Sequence, residues 1–194
     1  YGFDPVGTSA DRFTKGFDGN GKTISSLYIN RGSTDYVGLF GYTGGVSMSL
    51  QNVSLSNVNI QGQDFTGALA GFMSSTNGTD VTKVFSSGQV QGRNYVGGIA
   101  GSHGGAMHSL TNSYSTANVS GTSYIGGLAG NDGSTGIEYS YATGTVTGTD
   151  HVGGLAGQYN GIGGLSYSYS TGAVSGSSSV GGLVGAVDPG GSVS

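Results

Sequence analysis

Val152-Gly153-Gly154-Leu155-Ala156-Gly157 follows directly on a stretch that runs Tyr139-Ser140-Tyr141-Ala142-Thr143-Gly144-Thr145-Val146-Thr147-Gly148, separated from it only by 149–151, and both halves recur along the chain. The first half returns as Val96-Gly97-Gly98-Ile99-Ala100-Gly101, Ile125-Gly126-Gly127-Leu128-Ala129-Gly130 and Val180-Gly181-Gly182-Leu183-Val184-Gly185. Thr66-Gly67-Ala68-Leu69-Ala70-Gly71 is a variant, and Val37-Gly38-Leu39-Phe40-Gly41 a version shorter by one residue. Successive starts lie 29, 30, 29, 27 and 28 residues apart. The second half pairs Leu55 with Ile60 and Gly62, Phe85 with Val90 and Gly92, Tyr114 with Val119 and Gly121, Tyr141 with Val146 and Gly148, and Tyr169 with Val174 and Gly176, at identical spacing. Lengths change only between blocks, in stretches such as 74–80 and 131–136.

Constant blocks with variable loops at a period of 27–30 residues are the mark of a solenoid. Short Val, Tyr and Thr segments bounded by Gly and Ser predict strands. The expected fold is therefore all-β: a parallel β-helix (β-solenoid) of six to seven coils, roughly 30 Å long at ~4.8 Å per coil. Equivalent residues of successive coils then form columns. Residues 36–187 are read as the coils, 1–35 as lead-in strands or an N-terminal partial coil, and 188–194 as a C-terminal tail or link to further chain. The turn signal Asp18-Gly19-Asn20-Gly21 precedes alternating apolar residues in the lead-in. No secretion signal is visible, and the chain reads as a piece of a longer exported protein.

Composition agrees. Of 194 residues, 42 are Gly, 29 Ser and 18 Thr, and Glu138 is the one glutamate, which excludes a helical bundle. Without a period, such composition would argue for disorder. With one, glycine is expected at corners that need φ > 0 or close backbone approach. Cysteine is absent, so no disulfide or thiolate metal site exists. Six Lys and Arg against ten Asp and Glu, with no cation after Arg93, exclude electrostatic nucleic-acid binding. No apolar run is long enough to insert in a membrane.

The Val-Gly-Gly-Leu-Ala-Gly block at Val152 to Gly157, with the blocks at Tyr139 to Gly148 and Tyr167 to Gly176, resembles the GLUG repeat, over about residues 13–187. Such repeats occur in large secreted or surface-bound bacterial proteins, including adhesins resembling filamentous haemagglutinin and the non-catalytic region of some immunoglobulin-cleaving metallopeptidases. The resemblance implies a right-handed solenoid in an extracellular or cell-surface stalk or adhesive module, and supplies no catalytic residues. Leu55 and Phe85, standing where later coils have Tyr, depart from the pattern.

Few side chains can do chemistry. His103 and His108 flank a Gly-rich loop at a spacing that matches no common zinc motif and read as loop decoration. Serine is too abundant for any one to stand out as a nucleophile. Two residues before each Val-Gly start lies the column Asp35, Asp64, Asn94, Ser123, Asp150 and Ser178. Asp35 and Asp64 on adjacent coils, about 5 Å apart, would suit a retaining glycosidase pair, or share a calcium ion. The plainer reading is a corner of turn-forming residues.

One position later stand Tyr36, Phe65, Tyr95, Tyr124 and His151, then Ser179. By strand alternation this column faces outward and is the candidate ligand-binding surface, for a glycan or a surface protein. The column Tyr114, Tyr141, Tyr169 is read as core, with Thr143-Gly144 and Thr171-Gly172 supplying the bend its odd offset demands; on a straight strand it lies outside. The rows Asn59/Gln61 to Ala173/Ser175 form a polar array, which makes an ice-binding face a distant alternative. The leading expectation is a non-catalytic structural and adhesive module that also packs on neighbouring repeats of its parent chain. A carbohydrate-active enzyme using Asp35 and Asp64, and a passive spacer, are the alternatives.

Overall fold

Hydrogen bonds between coils, not within them, hold this chain together. The computed structural model describes residues 1–46, 48–74, 79–104, 109–188 and 192–193, and these contain no helix. They form a β-solenoid of about six turns, in which three sheets run side by side along the axis.

One sheet collects Asp64–Gly67, Asn94–Gly97, Ser123–Gly126, Asp150–Gly153 and Ser178–Gly181. The next collects Phe40–Thr43, Ala70–Ser74, Ala100–Gly104, Ala129–Asp132, Ala156–Tyr159 and Val184–Val187. The third and widest runs through Met48–Gln61 and Thr79–Gln91 as long bent strands, then breaks into pieces such as Tyr114–Ser115 and Asn118–Ser120. The strand pairings between coils are parallel, and in the two narrower sheets they stay in phase, as in Val96, Ile125, Val152 and Val180. Phe17–Ser25 and Tyr28–Asn30 pair with Met48–Gln61, so the lead-in forms the wide-sheet part of an earlier turn. At the other end, Ser192–Val193 returns to the wide sheet beside Gly164–Leu165.

The core is a set of aliphatic columns. Val37, Val96, Ile125 and Val152 are fully buried, as are Leu69, Ile99, Leu128 and Leu155 behind them. Leu50, Val81, Leu110 and Ile137 fill the wide sheet. Each such side chain contributes ~1.5–3 kcal/mol by leaving water.

Glycine does a narrower job than expected. Among the described residues only Gly2, Gly7, Gly21 and Gly88 have φ > 0. Most left-handed positions belong instead to other residues, among them the whole column Tyr36, Phe65, Tyr95, Tyr124, His151 and Ser179, with φ between 51° and 61°. The glycine that follows each Ala or Val of the middle sheet permits close approach. A Cβ on Gly71, Gly101 or Gly130 would sit 2.5 Å from the backbone carbon of Tyr36, Phe65 or Tyr95, respectively. No L side chain fits there.

The tyrosine column of the wide sheet is not core. Phe85, Tyr114 and Tyr141 are half-buried and Tyr169 is exposed, while the preceding Ser113 and Ser140 point inward and are buried. A serine hydroxyl can satisfy the backbone where the strand bends. Ser113 Oγ donates to Thr111 O at 2.8 Å and accepts from Val84 N at 3.1 Å. Ser140 repeats this with Glu138 O and Ser113 N. Leu55, which shares the sequence spacing of Phe85, pairs with Ser86 and is buried, because the register slips between Leu55 and Val58.

Thr66 is the one hydroxyl in the buried Val and Ile column, and its Oγ1 has no hydrogen-bond partner. Thr66→Val should therefore raise stability by about 1 kcal/mol in denaturant unfolding. A loss of stability would show that the hydroxyl has a role there.

Candidate functional site

The left-handed backbone sets the candidate surface. At each of Tyr36, Phe65, Tyr95, Tyr124 and His151 the chain kinks, and the side chain stands half-buried outside the coil. Bulky residues rarely occupy this region, at a cost of ~1–3 kcal/mol each, so the surrounding packing must over-determine it. Stacking returns part of that cost. Ring centroids are separated by 5.2 Å from Tyr36 to Phe65, 4.7 Å from Phe65 to Tyr95, and 4.6 Å from Tyr95 to Tyr124 and from Tyr124 to His151. Phe65 and Tyr95, and Tyr95 and Tyr124, are parallel within 2°. Burial, then the neighbouring Tyr124 and Asp64, pushes the Tyr95 phenol up.

This geometry changes what the column can bind. The faces of its interior rings are spent on one another, so a sugar cannot stack on them; what they offer is ring edges and hydroxyls. The same holds for Tyr114 and Tyr141, set between Phe85 and Tyr169 at 4.4, 4.7 and 5.1 Å, while the exposed pair Tyr139 and Tyr167 spend one face each on one another at 4.8 Å.

Asp35 and Asp64 do sit on adjacent coils, where each serves its neighbour's backbone. Asp35 Oδ1 accepts from Asp64 N at 3.1 Å, and Asp64 Oδ1 from Asn94 N at 3.2 Å. Arg93 clamps Asp64, Nε to Oδ1 at 2.9 Å and a terminal nitrogen to Oδ2 at 2.6 Å. The Arg93 hydrogen bond holds the Asp64 carboxyl below the usual carboxylate range, against the opposing effect of burial. A glycosidase acid needs its pKa raised, so Arg93 works against that chemistry. It also occupies the oxygens a calcium ion would use. Among the described residues no three His, Cys, Asp or Glu side chains gather as a metal site. The polar rows Gln89/Gln91, Asn118/Ser120 and Thr145/Thr147 line a shallow groove of about 300 Å³ rather than a flat plane.

Inside the middle sheet lies a polar cluster that pattern reading missed. The position three after each Ala-Gly alanine forms an inward column: Met73, His103, Asp132 and Tyr159, all fully buried. His103 is thus core, not loop decoration; His108 lies outside the described residues. His103 Nδ1 lies 2.9 Å from Asp132 Oδ1, and Ser134 Oγ donates to Asp132 Oδ2 at 2.9 Å. The residue types are those of a hydrolytic triad in the wrong order. Here the hydroxyl meets the carboxylate, not the imidazole, and no solvent reaches it. Burial, with the Asp132 and Glu138 charges, pushes the Tyr159 phenol up to about 12. The column is legible in the sequence when positions are counted from the alanines rather than from the valines.

Residues 121–147 match the GLUG motif. That GLUG segment holds nearly one coil, including left-handed Tyr124, buried Asp132 and the Ser140-Tyr141 pair. Halomucin of Haloquadratum walsbyi is 42% identical to this chain over 106 residues, 52% of the chain and 1% of halomucin. A protein of Evansella cellulosilytica described as a Gly-rich membrane protein is 37% identical over 73 residues, 36% of the chain and 8% of that protein. The chain thus spans a small fraction of either relative. No solved structure matches it. No helix among the described residues is long and apolar enough to cross a membrane.

The buried cluster gives a direct test. Asp132→Ala strips His103 and Ser134 of a buried partner and should cost on the order of 3–5 kcal/mol. The double change His103→Met with Asp132→Val, which copies Met73 and Val187 of the same column, should recover most of it in denaturant unfolding. A double variant no better than the single one would contradict this account of the pair.

Proposed function

We propose that this chain is a non-catalytic rod segment of a bacterial extracellular surface protein, an adhesive module that packs on neighbouring repeats and meets a glycan or surface protein through its outer columns and loops. The carrying observation is the unbroken coil-to-coil register of the middle sheet from Phe40 to Val187. A structure built this way resists bending and holds attached surfaces at fixed spacing, and repeated weak contacts along it add as avidity. The matches to short stretches of much longer relatives, one of them described as a membrane protein, support a place within a large surface protein. The Arg93 clamp on Asp64 favours this reading over a carbohydrate-cleaving one.

Because the rings stack face to face, contact along the column is expected through phenol hydroxyls and ring edges. Tyr95→Asn with Tyr124→Asn keeps residues that tolerate the left-handed backbone while removing those groups. The double variant should stay folded, with a midpoint lowered by several degrees, and lose attachment in a glycan-array and cell-surface assay. Attachment equal to the parent chain would overturn the adhesive use of this column and leave a spacer.

A further inference from the structure

At the N-terminal end of the column the stacking stops. Tyr36 gives one ring face to Phe65, while Tyr42 and Phe72 meet it at 65° and 84° along its flank. No ring precedes it. The chain on that side is the segment Asp4 to Ser9, tied to the first coil by Val6 N to Leu39 O at 3.0 Å and Gly41 N to Val6 O at 2.9 Å. Between this segment and the coil lies a pocket of about 200 Å³ lined by Asp4, Thr8, Arg31, Thr34, Asp35 and Tyr36, among others. At this end of the column an aromatic face is left over for something else.

The polar groups around that face are not exhausted by one another. Arg31 reaches Asp4 Oδ1 at 3.0 Å with one terminal nitrogen, and its guanidinium carries further N–H donors. Asp35 uses one oxygen for Asp64 N, which leaves the other for a donor. Thr8 Oγ1 accepts from Asp11 N and keeps its own proton to donate. The volume lies below the ~300–1,000 Å³ of pockets for drug-sized ligands, so it suits a single ring. Two carboxylates against one guanidinium leave the rim at net −1, which disfavours an acidic ligand.

We propose that this pocket binds one neutral sugar ring, its C–H face on Tyr36 and its vicinal hydroxyls shared between Asp35, Asp4 and Arg31. A pyranose has one apolar face and neighbouring hydroxyls that both donate and accept, and this set of groups answers each of those features. The proposal names a ligand class for the adhesive reading and rests on it for its biological use; its binding chemistry stands on the pocket alone.

The test is a titration of the full chain with methyl glycosides of neutral hexoses and with a glucuronide, followed by NMR shift mapping. Expected is saturable, millimolar binding of a neutral glycoside that perturbs Tyr36, Arg31 and Thr34, is weakened at least tenfold in Tyr36→Asn, and is not shared by the glucuronide. Asparagine keeps the left-handed backbone, and mapping on the parent chain is independent of that variant's folding. No binding of any neutral glycoside, perturbations elsewhere, or unchanged affinity in Tyr36→Asn would overturn the proposal. The Tyr95 and Tyr124 double variant should bind the free sugar as the parent does. Failure of the pocket is therefore read in the sugar titration, and failure of the adhesive column in the attachment assay.

Discussion

A backbone-on-backbone contact underlies everything else in this rod. Gly71, Gly101, Gly130, Gly157 and Gly185 each press against the chain of the preceding coil at Tyr36, Phe65, Tyr95, Tyr124 or His151. With no Cβ between them, two sheets close to contact and each coil is locked in rotation on the next. The residue at the contact is left-handed, and its side chain stands at the same azimuth in every coil. The aromatic column lies in front of a glycine column.

That placement explains why the aromatic residues make a poor sugar platform along most of their length. Rings presented every coil at one azimuth fall at stacking distance and consume each other's faces. Polar side chains are absorbed in the same way. Ser113 and Ser140 saturate backbone groups at a bend, Asp35 and Asp64 cap the next coil, and His103 and Asp132 pair in the core. The chain has few groups able to do chemistry, and the coil-to-coil repeat uses most of them to hold itself together. Chemistry is left over where the repeat ends, beside Tyr36.

Much of this architecture is legible from the spacing of the Val-Gly-Gly-Leu-Ala-Gly blocks, since hydrophobic side chains one period apart must stack. The pairing of Val96, Ile125 and Val152 and the alignment of Tyr36 to His151 in one column follow from counting, while the expected exposure of that column gives way to half-burial by stacking. Orientation at bends does not. In Ser140-Tyr141 the larger apolar residue argues for the core, yet the hydroxyl of serine is what the bent backbone needs, and tyrosine goes outside. Equal spacing in Leu55 and Phe85 hides a one-residue slip that buries the first and leaves the second half-buried. The glycines suggest left-handed corners by their number, but among the described residues most left-handed positions carry a side chain, the aromatic column among them. A histidine next to a Gly-rich stretch looks like a loop residue until it is counted from Ala100 against Asp132 and Tyr159.

The central claim is that glycine-to-backbone contact sets the register of the rod. The most direct measurement compares the denaturant unfolding of Gly130→Ala with that of Gly104→Ala. A Cβ at Gly130 would lie 2.5 Å from the backbone of Tyr95 and Val96, while among the described residues one at Gly104 meets nothing closer than 3.9 Å. The account predicts that Gly130→Ala abolishes or severely weakens the fold, whereas Gly104→Ala stays within about 1 kcal/mol of the parent. Two variants of equal stability would contradict it.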